Sequence, residues 1–310
     1  MSKAEIADIV AGYGAAAKRL AEAGADGVEI VGSHGYLPAQ FLFPQVNTRE
    51  DRYGGSWVNR RRFVDEVITS VREAVPEDLI VGARLSGDEF DTQGQDEEAM
   101  FSICRELAPS LDYLNVIAGT SASSGGAVHI VPPMTVGNGY MAPFSAKLKQ
   151  ACGGTAILVA GRINQPQDAE RIIAGSSADM CGMTRAMICD PAMPSKARVG
   201  AVDEIRACIG CNQACIGHAQ IGLSVSCIQF PESGRELRFG DRPKTQVPRR
   251  VLVVGGGPAG MKAASVAAEA GHAVTLWERS ARLGGQALLA QALPHREEFG
   301  GIVDNLRREV

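Results

Sequence analysis

No run of this chain approaches the length of a membrane span, and its amino terminus lacks the basic-then-apolar layout of a secretion signal. A membrane-spanning or exported protein is therefore not expected. There is no excess of positive charge either: 31 Lys and Arg face 35 Asp and Glu, a formal net charge of −4. That balance gives no electrostatic case for a nucleic acid or an anionic membrane as partner. What is present is globular: 45% apolar residues, 21% charged residues, and 310 residues in all, enough for one large domain or two ordinary ones. Glycine is abundant at 36, as expected where backbone approaches phosphates closely.

Half of the eight cysteines fall in one short stretch, Cys208-Ile-Gly-Cys211-Asn-Gln-Ala-Cys215, then eleven residues and Cys227. Four thiolates so spaced can wrap one inorganic centre, and Gly210 and Gly217 let the backbone turn sulfurs inward. A zinc ribbon pairs two Cys-x-x-Cys knuckles, and here the second knuckle is missing, so the spacing favours iron–sulfur over zinc. Free thiolates of this kind argue for a reducing, cytoplasmic setting. Cys104, Cys152, Cys181 and Cys189 lie in apolar or helical contexts and read as core residues.

Apolar runs alternate with helical periodicity. Helices are expected over 3–23, 60–75, 95–108, 143–152 and 166–175, and strands over 26–31, 79–85, 111–118, 156–161 and 178–183. Strands of this kind, each followed by a helix, mean a parallel sheet covered by helices. Polar residues gather at the strand ends: His34 and Tyr36 after the first, Arg84 on the second, Gly161-Arg162 after the fourth, Thr184-Arg185 after the last. In a parallel β/α barrel that edge carries the active site, and three arginines there suit a phosphate-bearing cofactor.

Residues 232–250 are polar and proline-bearing and read as a connection. Beyond them Gly255-Gly-Gly257-Pro-Ala-Gly260 lies between an apolar strand and an alanine-rich helix, and a second strand ends at Glu278. This is the dinucleotide fingerprint in its required context. Gly255 makes the turn, Gly257 admits a pyrophosphate, and Gly260 packs the helix closely. Glu278 would accept a hydrogen bond from an adenosine ribose and repel a 2′-phosphate, which favours FAD or ADP over NADP.

The chain resembles the flavin and iron–sulfur branch of the old yellow enzyme family. That branch includes trimethylamine dehydrogenase, 2,4-dienoyl-CoA reductase and N-methyl amino acid demethylases. The resemblance is carried by Ser33-His-Gly-Tyr-Leu-Pro-Ala-Gln-Phe-Leu42, Asn47-Thr-Arg-Glu-Asp-Arg-Tyr-Gly-Gly-Ser56, Gly182-Met-Thr-Arg185, the cysteine motif and Leu283-Gly-Gly285-Gln286. It implies FMN in the barrel, with Arg84 at the flavin's pyrimidine edge. It also implies Gly161, Arg162, Thr184 and Arg185 at the phosphate, and a 4Fe–4S cluster on Cys208, Cys211, Cys215 and Cys227. Further, it implies His34 and Tyr36 as the catalytic pair, and FAD or ADP at Gly255, Gly257, Gly260, Glu278, Gly285 and Gln286. NAD(P)H or an electron-transfer flavoprotein is then the expected electron partner, in a homo-oligomer.

Against the family pattern the chain looks truncated at both ends. The expected organisation is an α/β one: a partial TIM barrel over 1–200 without its first strands, a cluster segment and linker over 201–248, and an incomplete Rossmann-like domain over 249–310. Gln45 stands where dienoyl-CoA reductases carry an arginine, and the 119–133 stretch, taken as a loop, has no acyl-CoA-like basic residues. His129 in it either contacts substrate or packs on Pro132 and Pro133. The expected activity is oxidation of an N-methylated amine or amino acid, with electrons leaving through the cluster. The alternatives are an NAD(P)H-driven enoate or 2,4-dienoyl-CoA reductase, and an inactive fragment.

Overall fold

The structure, a computed structural model, describes residues 1–92 and 94–310. The chain packs into two compact units. The first comprises Met1–Val131, Gly139–Gly161 and Ala169–Gly182, the second Pro132–Asn138, Arg162–Asp168 and Met183–Val310. Where the sequence suggested a border near residue 200, the second unit begins at Met183 and also takes in two short inserts. Among the described residues no helix is long and apolar enough to cross a membrane.

The first unit runs α1 (Lys3–Glu22), β1 (Gly27–Val31), α2 (Leu37–Leu42), α3 (Trp57–Ala74), β2 (Ile80–Ser86), α4 (Glu97–Leu107) and β3 (Tyr113–Ile117). It continues with α5 (Ser124–Ile130), α6 (Ala142–Ala151), β4 (Ala156–Ala160), the greater part of α7 (Pro166–Ala174) and β5 (Met180–Gly182). The caps explain where the helices start. Ser2 Oγ accepts from the Glu5 amide in a full capping box, Ser56 Oγ accepts from Asn59, and Asp96 Oδ1 accepts from Ala99 at 2.9 Å. The strands pair in chain order, β1-β2-β3-β4-β5, all parallel, as five consecutive strands of a β/α barrel.

Alternation along the strands sorts the side chains. Val81, Ala83, Leu85, Leu114, Val116, Ile157 and Val159 are buried, as are Phe63, Val64, Val67, Ile68 and Val71, spaced at helical period along α3. Phe63 stacks on Phe41 of α2, with ring centroids 4.2 Å apart. The intervening residues Glu29, Arg84, Tyr113 and Asn115 are polar and meet one another. α2 and α5 are absent from the sequence expectations. The 119–133 stretch is therefore not all loop: Ser123 Oγ accepts from the Gly126 amide and starts a two-turn helix.

The second unit contains α8 (Thr184–Cys189), α9 (Met193–Arg198), α10 (Ile216–Gln220), α11 (Glu236–Phe239), β6 (Arg250–Val254) and α12 (Pro258–Glu269). These are followed by β7 (Ala273–Trp277), α13 (Ala287–Gln291) and α14 (Gly300–Glu309). β6 and β7 are parallel, with α12 as their crossover. Met134, Ile209, Met261, Ile302, Val303 and Leu306 form its buried cluster, so the cysteine segment, through Ile209, shares a core with α12 and α14.

Candidate flavin and cysteine sites

His34 sits just past β1 in a left-handed conformation, φ +59°. Ser86 Oγ accepts from its amide at 3.3 Å, and its carbonyl accepts from Ser121 N (3.0 Å) and Ser121 Oγ (2.8 Å). The end of β2 and the loop after β3 thus fix its backbone. Tyr36 meets the His34 ring edge-on at 6.3 Å and is 56% exposed, so its hydroxyl is accessible. Burial, reinforced by the charge of Arg84, pulls the His34 imidazole down to about 4 against a hydrogen bond to Ala118. The ring is therefore neutral near pH 7. Its Nε2 is buried without a hydrogen-bond partner, as are Ser33 Oγ and Arg84 Nε. Buried polar atoms left open at adjacent strand ends fit a polar group that hydrogen-bonds there.

Arg84 in β2 pairs with Glu29 of β1 at 2.6 Å, and Glu29 also accepts from Asn115 Nδ2 at 2.8 Å and Tyr113 Oη at 3.2 Å. Sequence reading missed Glu29, although one signal was there: a carboxylate at the centre of an otherwise apolar strand needs a cation. A cavity of about 710 Å³ opens in the same unit, walled by Gly35, Gln40, Gln45, Glu89, Asp91 and Ser121 among others. Among the described residues that line it there is no Lys or Arg. Gln45 Oε1 accepts from Gln95 Nε2 at 2.8 Å, and burial pushes the Glu89 carboxyl upward. His129 lies in α5 and stacks on Phe90, with ring centroids 3.8 Å apart. Gly161, at φ +148°, ends β4 with its carbonyl accepting from Gly139.

In the second unit Arg162 is 4% exposed and its guanidinium is engaged. Nη1 donates to the Met134 carbonyl (3.0 Å) and the Val136 carbonyl, Nη2 pairs with Glu298, and Nε alone is buried without a partner. Thr184 is exposed at the start of α8. Arg185 donates to the Pro132 carbonyl and Asn212 Oδ1, each at 2.7 Å. Burial lowers its pKa, while the neighbouring thiols of Cys208, Cys215 and Cys211 act the other way.

Arg185 and the four cysteines Cys208, Cys211, Cys215 and Cys227 line one cavity, the constellation expected from their spacing. Among the described residues no group of three or more His, Cys, Asp or Glu is placed to hold a metal ion. The turn of the motif requires glycine at 210: φ is +61°, and a Cβ there would lie 3.0 Å from the Met134 amide nitrogen. Burial raises the thiols of Cys208 and, to about 11, Cys211. Cys227 is drawn down to about 6 by the adjoining Cys189 thiol and the amides of Gln229 and Phe230, against burial. Cys189 is buried as expected of a core residue, and it is also the neighbour of Cys227.

Around the glycine turn, Gly255 takes φ +109° and Gly257 caps α12. A Cβ at Gly260 would overlap the Gly255 carbonyl oxygen, so the helix can start tight against the strand only with glycine there. Gly284 N donates to the Gly256 carbonyl at 2.7 Å, which brings Gly285 against Gly257, and exposed Gln286 caps α13. Glu278 accepts from Gly256 N (2.6 Å), Ser280 N (2.7 Å) and Ser280 Oγ (2.9 Å). The Ser280 and Gly256 amides hold its carboxyl at about 2.

Known proteins with these features fall into a consistent group. Over 301 residues the chain is 40% identical to a metal reductase of Desulforamulus reducens, covering 96% of this chain and 44% of that protein. It is 38% identical over 303 residues to an N,N-dimethylglycine/sarcosine dehydrogenase of Chromohalobacter salexigens, covering 96% and 43%. A solved 2-naphthoyl-CoA reductase, in complex with 2-naphthoyl-CoA, superposes with a TM-score of 0.93 at 29% identity, over all of this chain and 47% of that one. The chain thus spans less than half the length of these relatives. Residues 250–309 match FAD dependent oxidoreductases, and residues 1–204 match an FMN-oxidoreductase family. FMN thus follows from the first match and FAD from the second. Residues 1–204, with the barrel strands and the His34 and Arg84 sites, show that the chain belongs to the NADH:flavin oxidoreductase / NADH oxidase family.

Proposed function

We propose that this chain is the part of a flavin- and iron–sulfur-dependent oxidoreductase that oxidises an N-methylated amine or amino acid. The observation that carries the choice of substrate is the cavity beside His34. Its lining, among the described residues, includes Glu89 and Asp91 and no cation. Such walls favour an amine and give a polyanionic CoA thioester nothing to pair with. The dimethylglycine/sarcosine dehydrogenase relative supports the same reading.

FMN, when bound, would supply the hydride acceptor, and the substrate would leave as an iminium that water hydrolyses to formaldehyde and the demethylated amine. Arg84, with Nε still open, can donate to the flavin, while Glu29 holds its other end. His34 is neutral, so its free Nε2 can accept a hydrogen bond from an ammonium substrate and orient it. Arg162 and Arg185 are the candidates for the flavin phosphate. Each would have to share its guanidinium with the carbonyls it now holds, or offer Nε.

For the metal, the donor set is four thiols around one cavity. A zinc ribbon pairs two Cys-x-x-Cys knuckles, whereas here Cys227 stands alone, and that spacing supports a cluster over zinc. The whole enzyme would then work in a reducing cytoplasm as a homo-oligomer, passing electrons to NAD(P)+ or an electron-transfer flavoprotein. FAD or ADP would sit at the glycine turn with Glu278 on the ribose.

Likeness to 2-naphthoyl-CoA reductase and the exposed Tyr36 hydroxyl favour one other reading, reduction of an enoyl thioester with Tyr36 as acid. Turnover of N-methyl amino acids and of enoyl thioesters by the full-length enzyme and its Tyr36→Phe variant separates the two. Amine oxidation should survive the substitution with a modest loss. Thioester reduction that collapses by roughly two to four decades in Tyr36→Phe would decide against the amine.

A further inference from the structure

Gln229 lies two residues beyond Cys227, and it is 5% exposed. Every polar atom of its carboxamide is in use. Nε2 donates to the Ala207 carbonyl at 2.8 Å and to Cys189 Sγ at 3.3 Å, and Oε1 accepts from Asn305 Nδ2 at 2.9 Å. Ala207 immediately precedes Cys208, so one side chain ties the first arm of the cysteine segment to the last. Asn305 belongs to α14, 76 residues farther along. Gln229 also lines two cavities, that of the cysteines and a neighbouring one of about 160 Å³ shared with Asn305.

We propose that Gln229 is a positioning residue for the metal site. It fixes the span between Cys208 and Cys227, and it donates to the Cys189 sulfur, which itself adjoins Cys227. This rests on the iron–sulfur reading above. Cys208, Cys211 and Cys215 share one tight loop, but Cys227 arrives on a separate stretch and has the most freedom to lose. The clamp acts on that fourth corner. Its outer anchor is a helix that supplies none of the four thiols.

The test uses the whole chain purified without oxygen, as wild type, Gln229→Leu and Asn305→Leu. The measurements are iron per chain, low-temperature EPR and cluster midpoint potential, with circular dichroism and ADP binding as checks on the fold. Wild type should carry about four irons per cluster. Gln229→Leu, which removes all three hydrogen bonds of the carboxamide, should show a three-iron EPR signature and lose iron in air at least roughly tenfold faster. Its ADP binding should not change. Asn305→Leu should shift the same way by less. Wild-type spectra, potential and iron retention in Gln229→Leu would overturn the proposal while leaving the cluster itself in place. If Gln229→Leu does not fold, the same null result in Asn305→Leu does so instead. Wild type with no iron would remove the cluster reading and this proposal together.

Discussion

At the scale of single residues, His34 is set by hydrogen bonds to Ser86 and Ser121 and by burial rather than by an ion pair. Its pKa near 4 lies below the ordinary value of 6.5, so between those limits the unfolded chain binds a proton that the folded chain does not. The stability that the neutral ring contributes is complete above pH 6.5 and is lost as pH falls toward 4. His34→Gln should therefore flatten the acid limb of stability. Between pH 7 and 4.5 the wild type should lose on the order of 1–2 kcal/mol more than the variant, after allowance for solvent screening. Urea midpoints at the two pH values measure it, and parallel losses would show that His34 does not titrate this way. The same value moves any catalytic inflection due to His34 from the neutral range to near pH 4. Arg84, next to it, was legible as a strand-end cation, but its partner Glu29 was not, because only the parallel register sets the two side by side.

At the scale of elements, the glycine turn and α12 depend on a single absent side chain. Gly260→Ala would push a methyl group into the Gly255 carbonyl and force the turn to open. ADP affinity measured by calorimetry should fall at least roughly tenfold, because the amides of the helix start would no longer meet the pyrophosphate together. Unchanged affinity would mean that the turn does not hold the nucleotide. The strand–helix alternation that frames this turn and the five barrel strands was readable from the chain, since apolar runs and helical periods are local patterns. α2 and α5 were not readable: the first is six residues after a loop, and the second begins Ser-Gly-Gly. The cysteine site was legible for the same local reason, four thiols within twenty residues. Gln229, Asn305 and Glu298 were not, because each partnership joins residues far apart in the chain, 76 positions in one case and 136 in another. Polar residues of that kind look like ordinary surface until the fold closes over them.

At the scale of the whole molecule, the second unit is discontinuous, gathering Pro132–Asn138 and Arg162–Asp168 to the body that begins at Met183. Arg162 shows what that means, for its buried guanidinium is completed by Glu298, 136 residues later. During synthesis at about 5–20 residues per second, that carboxylate emerges many seconds after the arginine. The barrel strands pair with sequence neighbours and can assemble meanwhile. The second unit, which takes its 132–138 and 162–168 segments from far upstream of its main body, has to wait, with Arg162 and its loop held open. Ribosome-stalled chains ending before Glu298 should therefore be cut by protease within 132–138 and 162–168 while the strands resist. Chains in which Glu298 has cleared the ribosome should be protected in both places. Equal protection at both lengths would show that the loops close unaided. Order of birth along the chain, on this view, is a property the guanidinium of one arginine imposes on the entire protein.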